Sequence, residues 1–160
     1  MTVHWPPPGA APVGALEALP AADVAAIRFL RLWSAGAEGQ RAVYVTFCDR
    51  LGEEAGQAAL GCFERLLSLC IGHGRRPLSR HGLECRCAGG DECWFARLIA
   101  AAAQGEREDA MMLAMLMVRA DLAPHLAGLA EQVGLCLRRM GPGGPAPRPA
   151  TVSAAAQTLH

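Results

Sequence analysis

Ala59, Cys62, Phe63, Leu66, Leu67 and Cys70 recur at intervals of three and four residues. That is the repeat that lines one face of an α-helix, whereas a strand returns to the same face every second residue. The same spacing returns in Val43, Phe47 and Leu51, and again in Leu126, Leu129, Ala130, Val133, Leu137 and Met140. Apolar residues make up 52% of the chain but aromatics only 5%. The apolar mass is therefore Ala, Leu, Met and Val, which favours helices over a sheet.

Breakers and caps divide these stripes. Helices are expected over Ala21 to Ser34, Gln40 to Leu51, Glu53 to Ile71, Glu92 to Ala103 and Arg107 to Ala120, with a last one ending at Met140. Gly36 and Gly39 close the first, Gly52 the second and Gly72-His73-Gly74 the third. Asp91 reads as an N-cap with Glu92 in the first turn, and Asp121 as a cap with Pro124 in the first turn. Arg28 and Arg31, three apart, are expected to share an exposed face. The run MMLAMLMV is apolar on every side and is expected to be the central buried helix, with Met111, Met112, Met115 and Met117 in the core. The expected fold class is all-α: a single compact domain of five to six helices, an orthogonal or up-down bundle, over residues 21–140. A flexible Pro-rich arm (1–20) and a disordered Gly/Pro/Ala-rich tail (141–160) flank it.

Formal net charge over the 160 residues is zero, so there is no basic excess of the kind that drives binding to nucleic acid or anionic membrane. All basic residues other than His are Arg, which points to GC-rich bacterial coding. The N-terminus lacks the basic and apolar regions of a secretory signal, and DAMMLAMLMVRAD is too short to span a bilayer. The expected location is cytoplasmic, with the seven Cys as reduced thiols or metal ligands.

Chemistry concentrates in HGLECRCAGGDEC, from His81 to Cys93. Thiolates bind zinc and iron–sulfur clusters, and a loop joined to a helix start is where such ligands gather. Cys85, Cys87 and Cys93 are the candidate zinc ligands, with His81 as the fourth and His73 or Cys70 as substitutes. Cys93, in a first helical turn, is expected to favour its thiolate. The same cysteines also fit an iron–sulfur site, a thiol-based redox sensor using Cys85 with Cys87 or Cys93, or plain packing at a helix junction. His81 and Cys85 are four apart and suit a nucleophile–base pair, but the sequence places no third group to orient them. Cys48, Cys62, Cys70 and Cys136 read as core. The basic run His73, Arg75, Arg76, Arg80, His81 and Arg86 suits a phosphate or acidic partner, and reads equally as a solvated loop. Catalytic motifs are missing: no HExxH, no GxSxG, no P-loop. The expectation is a non-enzymatic interaction or regulatory module with a protein partner, whose loop binds zinc.

Overall fold

The computed structural model describes residues 7–141. Six helices occupy most of them: α1 Ala21–Ser34, α2 Ala37–Leu51, α3 Glu53–His73, α4 Gly90–Gln104, α5 Arg107–Met117 and α6 Ala123–Met140. A two-stranded antiparallel ribbon pairs β1 (Pro12–Ala15) with β2 (Cys87–Gly89). The all-α class follows, with α4 in contact with α1, α5 and α6.

Apolar stripes face inward much as the spacing requires. Ala59, Phe63, Leu66, Leu67 and Cys70 on α3 are buried, as are Leu126, Leu129, Ala130, Val133 and Leu137 on α6. All four phenylalanines are fully buried and form an edge-to-face chain across four helices. Phe29 meets Phe47 at 5.1 Å between ring centroids, Phe47 meets Phe63 at 5.9 Å, and Phe63 meets Phe95 at 6.4 Å. Each such pair adds about 0.5–1.5 kcal/mol beyond the area it buries. Few aromatics thus reach far, because each one touches the next. Where α4 crosses α6, Gly134 lets the backbones close: a Cβ there would stand 2.8 Å from the Ile99 carbonyl oxygen.

Helix boundaries shift in informative ways. Gly39 lies inside α2 rather than ending α1, since Gly36 at φ 104° already makes the turn. Gly72 stays helical, and α3 runs on to His73. Helix α5 stops at Met117, three residues short of the expected Ala120, where Val118 turns extended. The apolar run does not form the central helix. Met112 is 61% and Leu116 68% exposed, and of the four methionines only Met117 is fully buried. Helix α5 packs mainly on α4 and α6 and meets the core through Ala110, Ala114 and Met117, while its last carbonyl accepts the Arg75 backbone N–H (2.7 Å).

The N-terminal segment also departs from expectation. From Pro7 onward it is docked, not free. It forms a 3₁₀ turn at Pro8–Ala10, then β1, then a second 3₁₀ turn at Leu16–Ala18. Register places Pro12 opposite Gly89, Gly14 opposite Ala88 and Ala15 opposite Cys87, with an irregularity between Pro12 and Gly14. Leu16 N–H donates to the Arg86 carbonyl (2.7 Å), and buried Leu16 joins the core. Five prolines suggested an arm without partners, yet the loop before α4 supplies a strand edge for it. The rest of the expected arm, residues 1–6, and the expected tail beyond residue 141 lie outside the described residues. No helix among the described residues is long and apolar enough to cross a membrane.

Candidate functional site

The loop joining α3 to α4 holds its shape through charges buried beneath it. Arg31 on α1 is 2% exposed, and Glu92 on α4 is 0% exposed. This overturns the exposed face expected for Arg31. The Arg31 guanidinium donates from Nε to Glu92 Oε1 (2.6 Å) and from Nη2 to Oε2 (2.8 Å). It also donates to the Cys85 carbonyl (2.6 Å) and the Cys87 carbonyl (2.6 Å). Glu92 in turn accepts from the backbone N–H of His81 (3.0 Å) and of Gly89 (2.9 Å), the latter closing the first turn of α4. Paired and fully hydrogen-bonded charges are the condition under which burial is tolerated. Burial alone pushes the Glu92 carboxyl up. The bonds from Arg31, Gly89 and His81 outweigh it together and leave Glu92 below the usual range.

Asp91 is not the cap expected of it. Its carboxylate is 1% exposed and faces back into the loop. It accepts a two-pronged contact from Arg76, one arm at 2.7 Å, and the Ser79 N–H at 2.7 Å. Its net pKa is lowered: burial raises it, and Arg76 with Ser79 more than offsets that. Gly9 lies against this carboxylate so closely that a Cβ would overlap it. Three arginines of the basic run are therefore engaged in contacts within the molecule, although they stay at the surface. Arg76 holds Asp91, Arg75 reaches the Val118 carbonyl (3.2 Å), and Arg80 reaches the Ser34 carbonyl (3.0 Å).

On this frame sits the pair that the sequence spaced four residues apart. His81 Nδ1 lies 3.1 Å from Cys85 Sγ, and its Nε2 lies 2.7 Å from the Ala10 carbonyl oxygen. A carbonyl only accepts, so Nε2 carries a proton and Nδ1 faces the sulfur. The orienting group missing from the local sequence is thus a backbone carbonyl of the N-terminal segment, 71 positions away. Gly89 leaves room for the ring, since a Cβ there would stand 3.0 Å from His81 Nε2.

Electrostatics favour the ionised pair. The His81 hydrogen bond, the Cys87 backbone N–H and the charges of His81 and Arg31 lower the Cys85 thiol below its ordinary value. The Cys85 bond raises His81, with support from Ala10 and Glu92. Cys93 behaves oppositely to expectation. Burial pushes its thiol up, and the charges of Glu92 and Asp23 add to that. Helix α4 begins at Gly90, so Cys93 packs against the core beyond the glycines.

The structure therefore brings His81 and Cys85 together, leaves Cys87 exposed on β2 and sets Cys93 against the core. His73 is exposed at the end of α3, while Cys70 is buried with its thiol pushed up to about 12. Among the described residues no group of three or more His, Cys, Asp or Glu is placed to hold a metal ion. Cys48, Cys62 and Cys136 are half-buried, and Cys62 donates to Gln132 Oε1 (2.9 Å) instead of vanishing into the core. Beside Cys85 a cavity of about 520 Å³ opens between α1, α2 and the loop. Its arginines come from three separate stretches of chain, and nothing local to any one of them signals the cavity. Compared with protein-family models, curated proteins and solved structures, the chain has no significant match in any of the three.

Proposed function

We propose that this protein is a thiol-based redox-responsive regulatory module whose reactive group is Cys85. One observation carries the reading: His81 stands between the Cys85 sulfur (3.1 Å) and the Ala10 carbonyl (2.7 Å). An imidazolium so held stabilises a thiolate, which is the nucleophilic form of cysteine. With hydrogen peroxide the thiolate attacks one oxygen, the O–O bond breaks, and the S–O bond of a sulfenic acid forms. The departing hydroxide takes the His81 Nδ1 proton and leaves as water. Cys87, two residues further on, whose backbone N–H helps to lower the Cys85 thiol, is the thiol that then condenses with the sulfenic acid, giving a disulfide and a second water. The first step removes the thiolate charge that holds His81, the disulfide keeps it from returning, and His81 is a tie between the loop and the N-terminal segment. Oxidation thereby loosens β1 from β2, a change that a protein partner can read.

Site-resolved alkylation over a pH series tests this in the full chain. Cys85 is expected to react at neutral pH about tenfold faster than Cys87, and His81→Asn to abolish that lead. Equal rates at the two cysteines, or no effect of His81→Asn, would overturn the reading.

A zinc-organised loop is the second reading, favoured by the one juxtaposed ligand pair, His81 Nδ1 and Cys85 Sγ. Zinc would join these two and draw in Cys87 and Cys93; an iron–sulfur cluster would need the same thiols. Metal analysis of tag-free protein separates the readings. About one zinc per chain, with stability lost to a chelator, favours the metal.

A further inference from the structure

The cavity beside Cys85 has walls of two kinds. Leu16, Leu32, Val45 and Leu83 make it apolar, and two of these, Val45 and Leu83, stand 44% and 50% exposed. Arg28, Arg41 and Arg86 share the lining with Glu17 and Glu84. None of these five side chains makes a hydrogen bond or ion pair to a described residue. Arg31 also reaches the wall, but its guanidinium is committed to Glu92 and the loop carbonyls. The volume of about 520 Å³ falls within the roughly 300–1,000 Å³ of small-molecule pockets.

Three cations against two anions leave one net positive charge, which suits a singly charged anion better than a phosphate dianion. Unpaired guanidiniums match a carboxylate in geometry, and the leucines and Val45 match a hydrocarbon chain. Cys85 is among the residues that line the same cavity, and it is half-buried rather than sealed in the core.

We propose that this cavity binds a carboxylate-bearing, chain-like hydroperoxide of the fatty-acid class, gripped by Arg28, Arg41 and Arg86, and presents its peroxide to Cys85. This rests on Cys85 being the reactive thiol. The sulfur attacks the terminal oxygen of the hydroperoxide and the O–O bond breaks. Cys85 becomes a sulfenic acid that keeps the hydroperoxide's own hydrogen. The fatty-acid alkoxide takes the Nδ1 proton from His81 and leaves as the hydroxy acid.

The test measures the rate of sulfenic acid formation at Cys85 in the full chain with three oxidants. They are linoleic acid hydroperoxide, its methyl ester, and hydrogen peroxide. The free acid is expected to react faster than the ester by about tenfold or more, the size of one charge-assisted hydrogen bond. Arg28→Gln combined with Arg41→Gln should erase that lead, with each rate taken relative to the same variant's rate with hydrogen peroxide. Equal rates for acid and ester, or a lead that survives the double substitution, would overturn the fatty-acid assignment alone. Cys85 inert to all three oxidants would instead overturn the redox reading, and the assignment with it.

Discussion

The start of α4 and the length of α5 reverse the usual relation between polarity and burial. Around Glu92 the chain is rich in charge, yet Arg31, Asp91 and Glu92 are among the least exposed residues described. From Ala110 to the end of α5 the chain is wholly apolar, yet Met112, Met115 and Leu116 face outward. The difference teaches that burial follows what surrounds an element, not its own hydropathy. Glu92 is enclosed because four donors converge on it: two nitrogens of Arg31 and the N–H groups of His81 and Gly89. Helix α5 packs mainly on α4 and α6, so the face that carries Met112 and Leu116 stays open despite its composition.

The sharpest way to break this contrast is Arg31→Met. It leaves Glu92 buried without its cation and the Cys85 and Cys87 carbonyls without their donors. A loss of about 3–5 kcal/mol is expected in urea unfolding, as for other broken buried pairs. A loss below about 1 kcal/mol would mean that the loop closes over the pair only weakly. Next in size, Met117→Ala removes the one fully buried methionine of α5 and should cost about 2–5 kcal/mol by the same measurement.

Acid sensitivity probes the buried carboxylates. Because Glu92 sits below its ordinary pKa in the folded chain, its contribution is present above the ordinary carboxylate range. That contribution is lost as pH falls through the depressed folded value. Glu92→Gln should flatten the acid limb of the stability profile by at most about 1.4 kcal/mol per pH unit, while Asp91 keeps the remainder. An unchanged limb would show that Glu92 titrates alike folded and unfolded. The smallest effect belongs to the open side of α5. Met112→Gln and Leu116→Lys should each change unfolding stability by less than about 0.5 kcal/mol. A loss near that of Met117→Ala would show that this face is covered in solution.

Helical spacing was legible because it needs only the chain's own periodicity. The α3 and α6 stripes and the cap at Gly52 could be read residue by residue, and α1 was bounded at Ala21 and Ser34 as expected. Cys85 and His81 were visible as a pair four positions apart, but their orientation was not, since Ala10 comes from the far N-terminus. Arg31 looked like a surface residue because its partner, Glu92, lies 61 positions away. Gly9 and Gly89 gave no signal of their own, because the Asp91 carboxylate and the His81 ring that need their space arrive from other segments.

By itself the sequence determined a predominantly helical chain and gathered His81, Cys85 and Cys87 between α3 and α4. Local spacing suffices for both, because helix periodicity and thiol density are properties of neighbours in the chain. Tertiary structure alone decided which cysteine meets an oriented histidine, which charges are buried and which apolar helix stays exposed. Those outcomes depend on the dielectric and the donors around a group, and here α1, the N-terminal segment and α4 supply them from distant parts of the chain.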